Sequence, residues 1–340
     1  MPAESGMLGV MPHYGFNFQW MFIRREGELP GAPDEKALDF LAGQGFNFVR
    51  VPTDYRAWTH GHDYFHPNEQ VFEALDGYLK ACNDRGIHMS LNLHRAPGYC
   101  INRNDLEIHN LWKDQIAQDA FAFLWQTFAR RYRDVPNARL SFDLLNEPPS
   151  VGQYGFTRDI HQQVMRKTVD AIREVDPDRE IVLNGIGGGH YAIPELADLG
   201  VVHSGRGYQP MPVSHYQASW WDGHVGLPEP VYPGTPWDGK VWDKETIREL
   251  FQTWRDVEEK GVRIHIGEFG CYDKTPNDVA LRWLGDLFSL WKEFGWGYAM
   301  WNFEGPFGII GHRRPEARFE EVNGYRVDRD LLELMKESRV

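Results

Sequence analysis

The chain has 340 residues and a net charge of 36 − 49 = −13 at pH 7, an excess of acid that repels nucleic-acid phosphates and offers no basic anchor to a membrane surface. Hydrophobic residues at 42% and charged residues at 25% make a soluble globular composition, and no apolar run nears the roughly 20 residues a membrane-crossing helix needs. The three cysteines, Cys82, Cys100 and Cys271, are odd in number and lack metal spacing, which argues against a disulfide scaffold or a zinc site.

The first ten residues, MPAESGMLGV, show neither a basic stretch nor a long apolar one. The expectation is therefore a cytoplasmic location, or secretion if a leader has been removed. Strand-like runs then follow in order: YGFNFQW (14–20), FNFVRVP (46–52), IHMSLNLH (87–94), RLSFDLLNE (139–147), EIVLNG (180–185), PVSHY (212–216), RIHIGEFG (263–270) and GYAMWNF (297–303). Helical periodicity fills 34–44, 68–86, 113–134, 156–176, 244–261 and 276–295. Asp34, Asn68 and Asn277 stand at expected N-caps, and Gly45, Gly86, Gly261 and Gly295 just past expected C-termini. Strand–helix alternation means parallel strands, and eight of them without a linker predict one (β/α)₈ barrel over 1–340 rather than a doubly wound sheet.

In such a barrel the chemistry sits at the C-terminal strand ends. Arg50 ends the second strand, His94 the third, Asn146-Glu147 the fourth, His215-Tyr216 the sixth, Glu268 the seventh and Trp301-Asn302 the eighth. The stretch SFDLLNEPPS drives an apolar strand into Asn146, Glu147, Pro148 and Pro149, so that Glu147 is delivered at a fixed height and the prolines end the pairing. Two carboxyl groups facing each other across a cleft can divide acid and nucleophile duties, as glycoside hydrolysis requires. Two readings compete: a metal held by His94 and His215, and two unrelated surface salt bridges.

These motifs resemble glycoside hydrolase family 5, the cellulase-like (β/α)₈ enzymes. FVRVP resembles the family's arginine strand, LNLH brings His94, and LLNEP resembles the acid/base signature with Asn146 and Glu147. SHY resembles its His-x-Tyr element with His215 and Tyr216, IGEFG the nucleophile strand with Glu268, and MWNF supplies the subsite-floor Trp301. The resemblance implies a retaining double displacement, with Glu147 as acid/base, Glu268 as nucleophile and carboxyl groups about 5–5.5 Å apart. Arg50 and Tyr216, if near Glu268, would keep it ionised; that charge would in turn raise the pKa of Glu147.

NGIGGGH (184–190) mimics a dinucleotide loop but has His190 where the third glycine belongs, and reads as a flexible loop. The stretch 217–240 reads as a long loop after strand six whose Trp220, Trp221 and Trp237 either stack on sugars or pack the loop down; Trp20 and Trp58 are weaker candidates. The segment 312–330 reads as a solvated tail. The expected substrate is a β-linked oligo- or polysaccharide, with no cofactor, metal, nucleic acid or membrane partner. Endo-β-1,4-glucanase (cellulase) action stands first; β-mannanase, xyloglucanase and exo-acting β-glucosidase or β-mannosidase activities are the alternatives. A catalytically silent carbohydrate-binding barrel is the reading from another class.

Overall fold

The computed structural model describes residues 12–22 and 28–340; the N-terminal stretch read for a leader lies outside them. Eight parallel strands close a barrel: β1 (Tyr14–Asn17), β2 (Phe48–Asp54), β3 (His88–Arg95), β4 (Leu140–Asp143), β5 (Ile181–Asn184), β6 (Val202–Gly207), β7 (Ile264–Phe269) and β8 (Gly297–Met300). β1 closes the ring by pairing with both β2 and β8. Strands β2 and β3 are buried along their whole length, because helices cover the outer face and side chains fill the interior. The outer layer contains α1 (Glu35–Gly43), α2 (Glu69–Asn83), α3 (Gln115–Tyr132), α4 (Arg158–Arg173), α5 (Lys244–Glu258) and α6 (Asn277–Phe294). Among the described residues, no helix is long and apolar enough to cross a membrane. The three cysteines are free and buried.

The helix starts follow local chemistry. The Asp34 carboxylate accepts from the Ala37 N–H and the Asn68 side chain from the Gln70 N–H, each satisfying a donor at its helix's first turn. Asn277 is the first helical residue of α6 rather than its cap, which is Pro276. Gly295 ends that helix at φ 74°, a left-handed turn that a side chain would strain.

Two larger expectations also fail. The sixth strand is VHSGRG at 202–207, and residues Met211–Ser214 form a helical turn instead. This strand hid because it is small and polar. Its glycines are demanded by packing: a Cβ on Gly207 would stand 2.7 Å from the Trp291 ring, and one on Gly205 3.4 Å from Trp254. The 312–330 segment is not a simple solvated tail either, since His312, Arg314, Val327 and Asp328 within it are buried. Phe319–Val322 and Tyr325–Asp328 form a hairpin, turning at Asn323-Gly324, and α7 (Arg329–Glu337) buries Leu331, Leu332 and Met335. Asp328 caps that helix and also pairs with the buried His312.

Candidate active site

The ladder of β4 runs on past its last regular residue. The Leu144 N–H donates to Val182 O at 3.0 Å and the Asn146 N–H to Leu93 O at 3.0 Å. Glu147 then turns the chain at φ 48°, a left-handed conformation costing a non-glycine residue about 1–2 kcal/mol. Both its peptide groups are held: its N–H donates to Asn184 Oδ1 at 3.2 Å, and its carbonyl accepts from the Tyr99 hydroxyl at 2.7 Å. The carbonyls of Pro148 and Pro149 accept from Gly188 and Gly187 at 3.0 and 3.1 Å, so NGIGGGH is a docked turn rather than a flexible loop.

Arg50 on β2 reaches across the mouth. Its Nε donates to Asp143 at 2.6 Å, Nη1 to Glu268 at 2.5 Å and to Asn17 at 3.0 Å, and Nη2 to Asn146 at 2.9 Å. Arg206 on β6 lies on the other side. It donates from Nε to Glu147 at 2.9 Å and from Nη2 to Asn146 at 2.9 Å and Asn184 at 2.5 Å, with Glu268 3.5 Å away. One guanidinium thus joins both carboxylates. The Tyr208 hydroxyl adds a donor to Glu268 at 3.2 Å.

The two carboxyl groups are pushed in opposite directions. Burial raises the pKa of Glu147, the charge on Glu268 raises it further, and Arg206 only partly offsets them, leaving it at about 7. Burial would also raise Glu268, but Arg206 and Arg50 outweigh it and hold the carboxyl below its ordinary value. One group near neutrality beside one firmly ionised is the division of labour that acid and nucleophile need.

His94 lies 3.4 Å from the Asn146 amide nitrogen, and burial pushes its pKa down to about 3, so it is neutral. Its ring stacks on Trp301 with centroids 5.4 Å apart, and the indole remains partly exposed beside Phe22. His215 packs edge-on to Tyr208 at 5.1 Å and contacts Trp220 and Trp221 at 6.4 and 6.2 Å. Trp220 is 54% exposed, while Trp221 packs on Trp237 of a short hairpin (Thr235–Trp237 with Lys240–Trp242). Among the described residues, the group of side chains with metal-ligand reach is His13, His88 and Glu180, at the opposite barrel mouth; neither His94 nor His215 belongs to it.

Residues 12–305 match the family model described as cellulase, glycosyl hydrolase family 5. The chain belongs to that family. A crystal structure described as a glycoside hydrolase is 63% identical, with a TM-score of 0.96 over 97% of this chain and 100% of that one. Endoglucanase C of Acetivibrio thermocellus is 28% identical over 317 residues, covering 85% of this chain and 89% of its own. Endoglucanase Cel5A of Thermotoga maritima shares the fold, at 21% identity, a TM-score of 0.74 and coverage of 95% and 96%. This chain is accordingly a retaining glycoside hydrolase acting on O-glycosyl bonds of β-linked carbohydrate.

Arg50, His94, Asn146, Glu147, Glu268 and Trp301 come together at the C-terminal mouth of the barrel. Tyr216 does not: the tyrosine on Glu268 is Tyr208, and His215-Tyr216 follow a helical turn instead of ending a strand. The strand that the sequence placed at His215-Tyr216 ends instead in Arg206-Gly207-Tyr208, with arginine where histidine was expected. Arg206, Tyr208, Asp143, Asn184 and Asn17 were not singled out. The signal for the first two was a tyrosine two residues after a basic one. Trp58 is core, 1% exposed between Phe72 and Phe128, and Trp20 packs on Phe18 and on Tyr78 of α2.

Proposed function

We propose that this family 5 hydrolase is an endo-acting β-1,4-glucanase in which Glu268 is the nucleophile and Glu147 the acid/base. The observation that carries the assignment is the opposite displacement of two carboxyl groups sharing the Arg206 guanidinium. In the first step a Glu268 oxygen attacks the anomeric carbon, the bond to the leaving oxygen breaks, and Glu147 gives that oxygen its proton. In the second, water attacks the same carbon, passes a proton to Glu147 and releases the Glu268 carboxylate, with net retention.

Endo action draws support from exposed aromatic side chains on both flanks of the carboxyl pair. Tyr154, 43% exposed, packs on Tyr99 on the Glu147 side, while Trp220 stands exposed on the Glu268 side. Flat apolar faces on both sides of the scissile point suit a chain that continues in both directions. The 28% identity to an endoglucanase supports glucan as the first polymer to test.

The test is a panel of soluble β-1,4-glucan, mannan, xyloglucan and aryl β-glycosides. Viscosity that falls well ahead of reducing-end release on the glucan is the expected result; release of terminal sugars alone would overturn endo action. The pH profile tests the pair. kcat/KM needs Glu268 ionised and Glu147 protonated, so it should fall as pH rises through about 7 and persist below the ordinary carboxylate range.

A further inference from the structure

Arg206 stands where a histidine was expected, and its surroundings are built for it. It is fully buried, and the turn that faces it ends in Gly189, where a Cβ would stand 2.5 Å from Arg206 Cγ. Its donors are spread over both carboxylates and the amide oxygens of Asn146 and Asn184. Among the described residues, no other side chain hydrogen-bonds to both Glu147 and Glu268.

The charges around the pair can be summed over the cycle. Besides Arg206 and the two glutamates, the charged groups are Arg50 and its partner Asp143. The remaining titratable neighbours are neutral near pH 6–7: burial pushes His94 and His190 down to about 3 and 4, and pushes the hydroxyls of Tyr208 and Tyr99 well above their usual range. In the resting enzyme two guanidinium groups face Asp143 and Glu268, and the sum is zero only if Glu147 keeps its proton. In the glycosyl-enzyme Glu268 is a neutral ester, and the sum is zero only if Glu147 has lost its proton. An uncharged side chain at 206 would leave an excess negative charge in both states. The glycosyl-enzyme would then hold the Glu147 proton more tightly, and its base would be hindered.

We propose that Arg206 is a positioning residue that times the proton on Glu147, holding both carboxylates at rest and Glu147 alone in the glycosyl-enzyme, so that its loss falls hardest on hydrolysis of that intermediate. The proposal rests on the assignment of Glu147 and Glu268 given above. It distinguishes this site from one carrying a neutral imidazole at the same place.

The test compares wild type, Arg206→His and Arg206→Lys on 2,4-dinitrophenyl β-cellobioside, whose leaving group needs no proton, with melting temperatures measured alongside. In Arg206→His, kcat on this substrate should fall about tenfold more than kcat/KM, and on soluble β-1,4-glucan, whose leaving group needs the Glu147 proton, both limbs of the kcat/KM profile should move up by about one pH unit, since the lost cation favoured the ionised form of each carboxyl. Arg206→Lys should return both limbs to within about 0.3 unit of wild type while leaving the maximum rate reduced, because the charge is kept and the fork is lost. Equal falls in kcat and kcat/KM with unmoved limbs in Arg206→His would overturn the proposal, as would a lysine variant indistinguishable from the histidine one. Should Arg206→His not fold, Arg206→Lys decides: limbs in place support the proposal, and limbs displaced by a full unit overturn it. The underlying assignment is checked separately with azide. Glu147→Ala should give the β-glycosyl azide and Glu268→Gly the α-glycosyl azide, and absence of both products unseats the glutamates whatever Arg206 does.

Discussion

At the C-terminal mouth of the barrel, Arg50 and Arg206 meet the carboxylates of Asp143, Glu147 and Glu268. At the N-terminal mouth, His13, His265, Glu180 and Arg263 line a cavity of about 160 Å³, and the His88 ring lies 4.3 Å from that of His13. There Glu180 pairs with Arg263, and His88 Nε2 meets the Ser141 hydroxyl at 2.8 Å, while among the described residues His265 Nε2 is buried with no hydrogen-bond partner. Both mouths bury titratable groups. At the basal mouth burial dominates and simply keeps the imidazoles neutral, with His265 pushed down to about 3. At the upper mouth two fixed cations act against burial unequally, so that neighbouring carboxyl groups are driven apart. Burial alone yields inert groups; burial with asymmetrically placed charge yields an acid and a nucleophile.

The comparison breaks most visibly at Glu268. Glu268→Gly should lower kcat on the order of 10⁴-fold or more on every substrate, because no leaving group substitutes for a nucleophile. His88→Asn at the other mouth should leave kcat within about twofold, since it touches no reacting atom. A comparable loss from both would erase the distinction between the mouths. Next in size, Glu147→Ala should cost about 10²–10⁴ in kcat/KM on unactivated glucan and far less on a dinitrophenyl glycoside. Equal losses on both substrates would remove Glu147 as the acid.

Trp301→Ala sharpens the reading of the upper mouth as a carbohydrate surface. The indole is already partly exposed and stacks on His94, so about a tenfold loss in kcat/KM is expected with little change in melting temperature. A drop equivalent to about 3–5 kcal/mol of stability with normal turnover would make it a core residue instead. The smallest effect belongs to the basal histidines. The folded-state pKa of His265 lies at about 3, below its unfolded value near 6.5, so the unfolded chain takes up the proton first. Its contribution is present above about pH 6.5 and is lost as pH falls toward 3, on the order of 1–2 kcal/mol by pH 5. His265→Gln should therefore flatten the fall in melting temperature between pH 7 and 5; an unchanged slope would remove this residue from the acid response.

Much of the barrel was legible because its signals are local. Helices α1 to α6 announce themselves by periodicity, and Asp34 and Asn68 by their capping side chains. Glu147 and Glu268 could be placed because each ends an apolar strand. β6 could not, because its Gly205 and Gly207 serve Trp254 and Trp291 on distant helices and leave no strand pattern of their own. With that strand misplaced, His215-Tyr216 took the position that belongs to Arg206-Gly207-Tyr208. The 312–330 segment was misread for a related reason: His312, Arg314 and Asp328 read as solvated charges until His312 meets Asp328 and Arg314 donates to the Cys271 carbonyl.

The amino-acid sequence by itself determined the strand–helix alternation, the two carboxylates at strand ends and the aromatic surplus, since each depends on neighbours within a few residues. Only the tertiary structure decided which cation faces which carboxylate. Asp143, Glu147, Asn184, Arg206 and Glu268 sit on four adjacent strands of the closed barrel and on the turn that leaves β4, and Arg50 reaches them from β2 across the mouth. Their separation in the chain carries no information about their distance in space. The pKa of each carboxyl is set by that distance and by the loss of water around it, and both exist only once the barrel has closed.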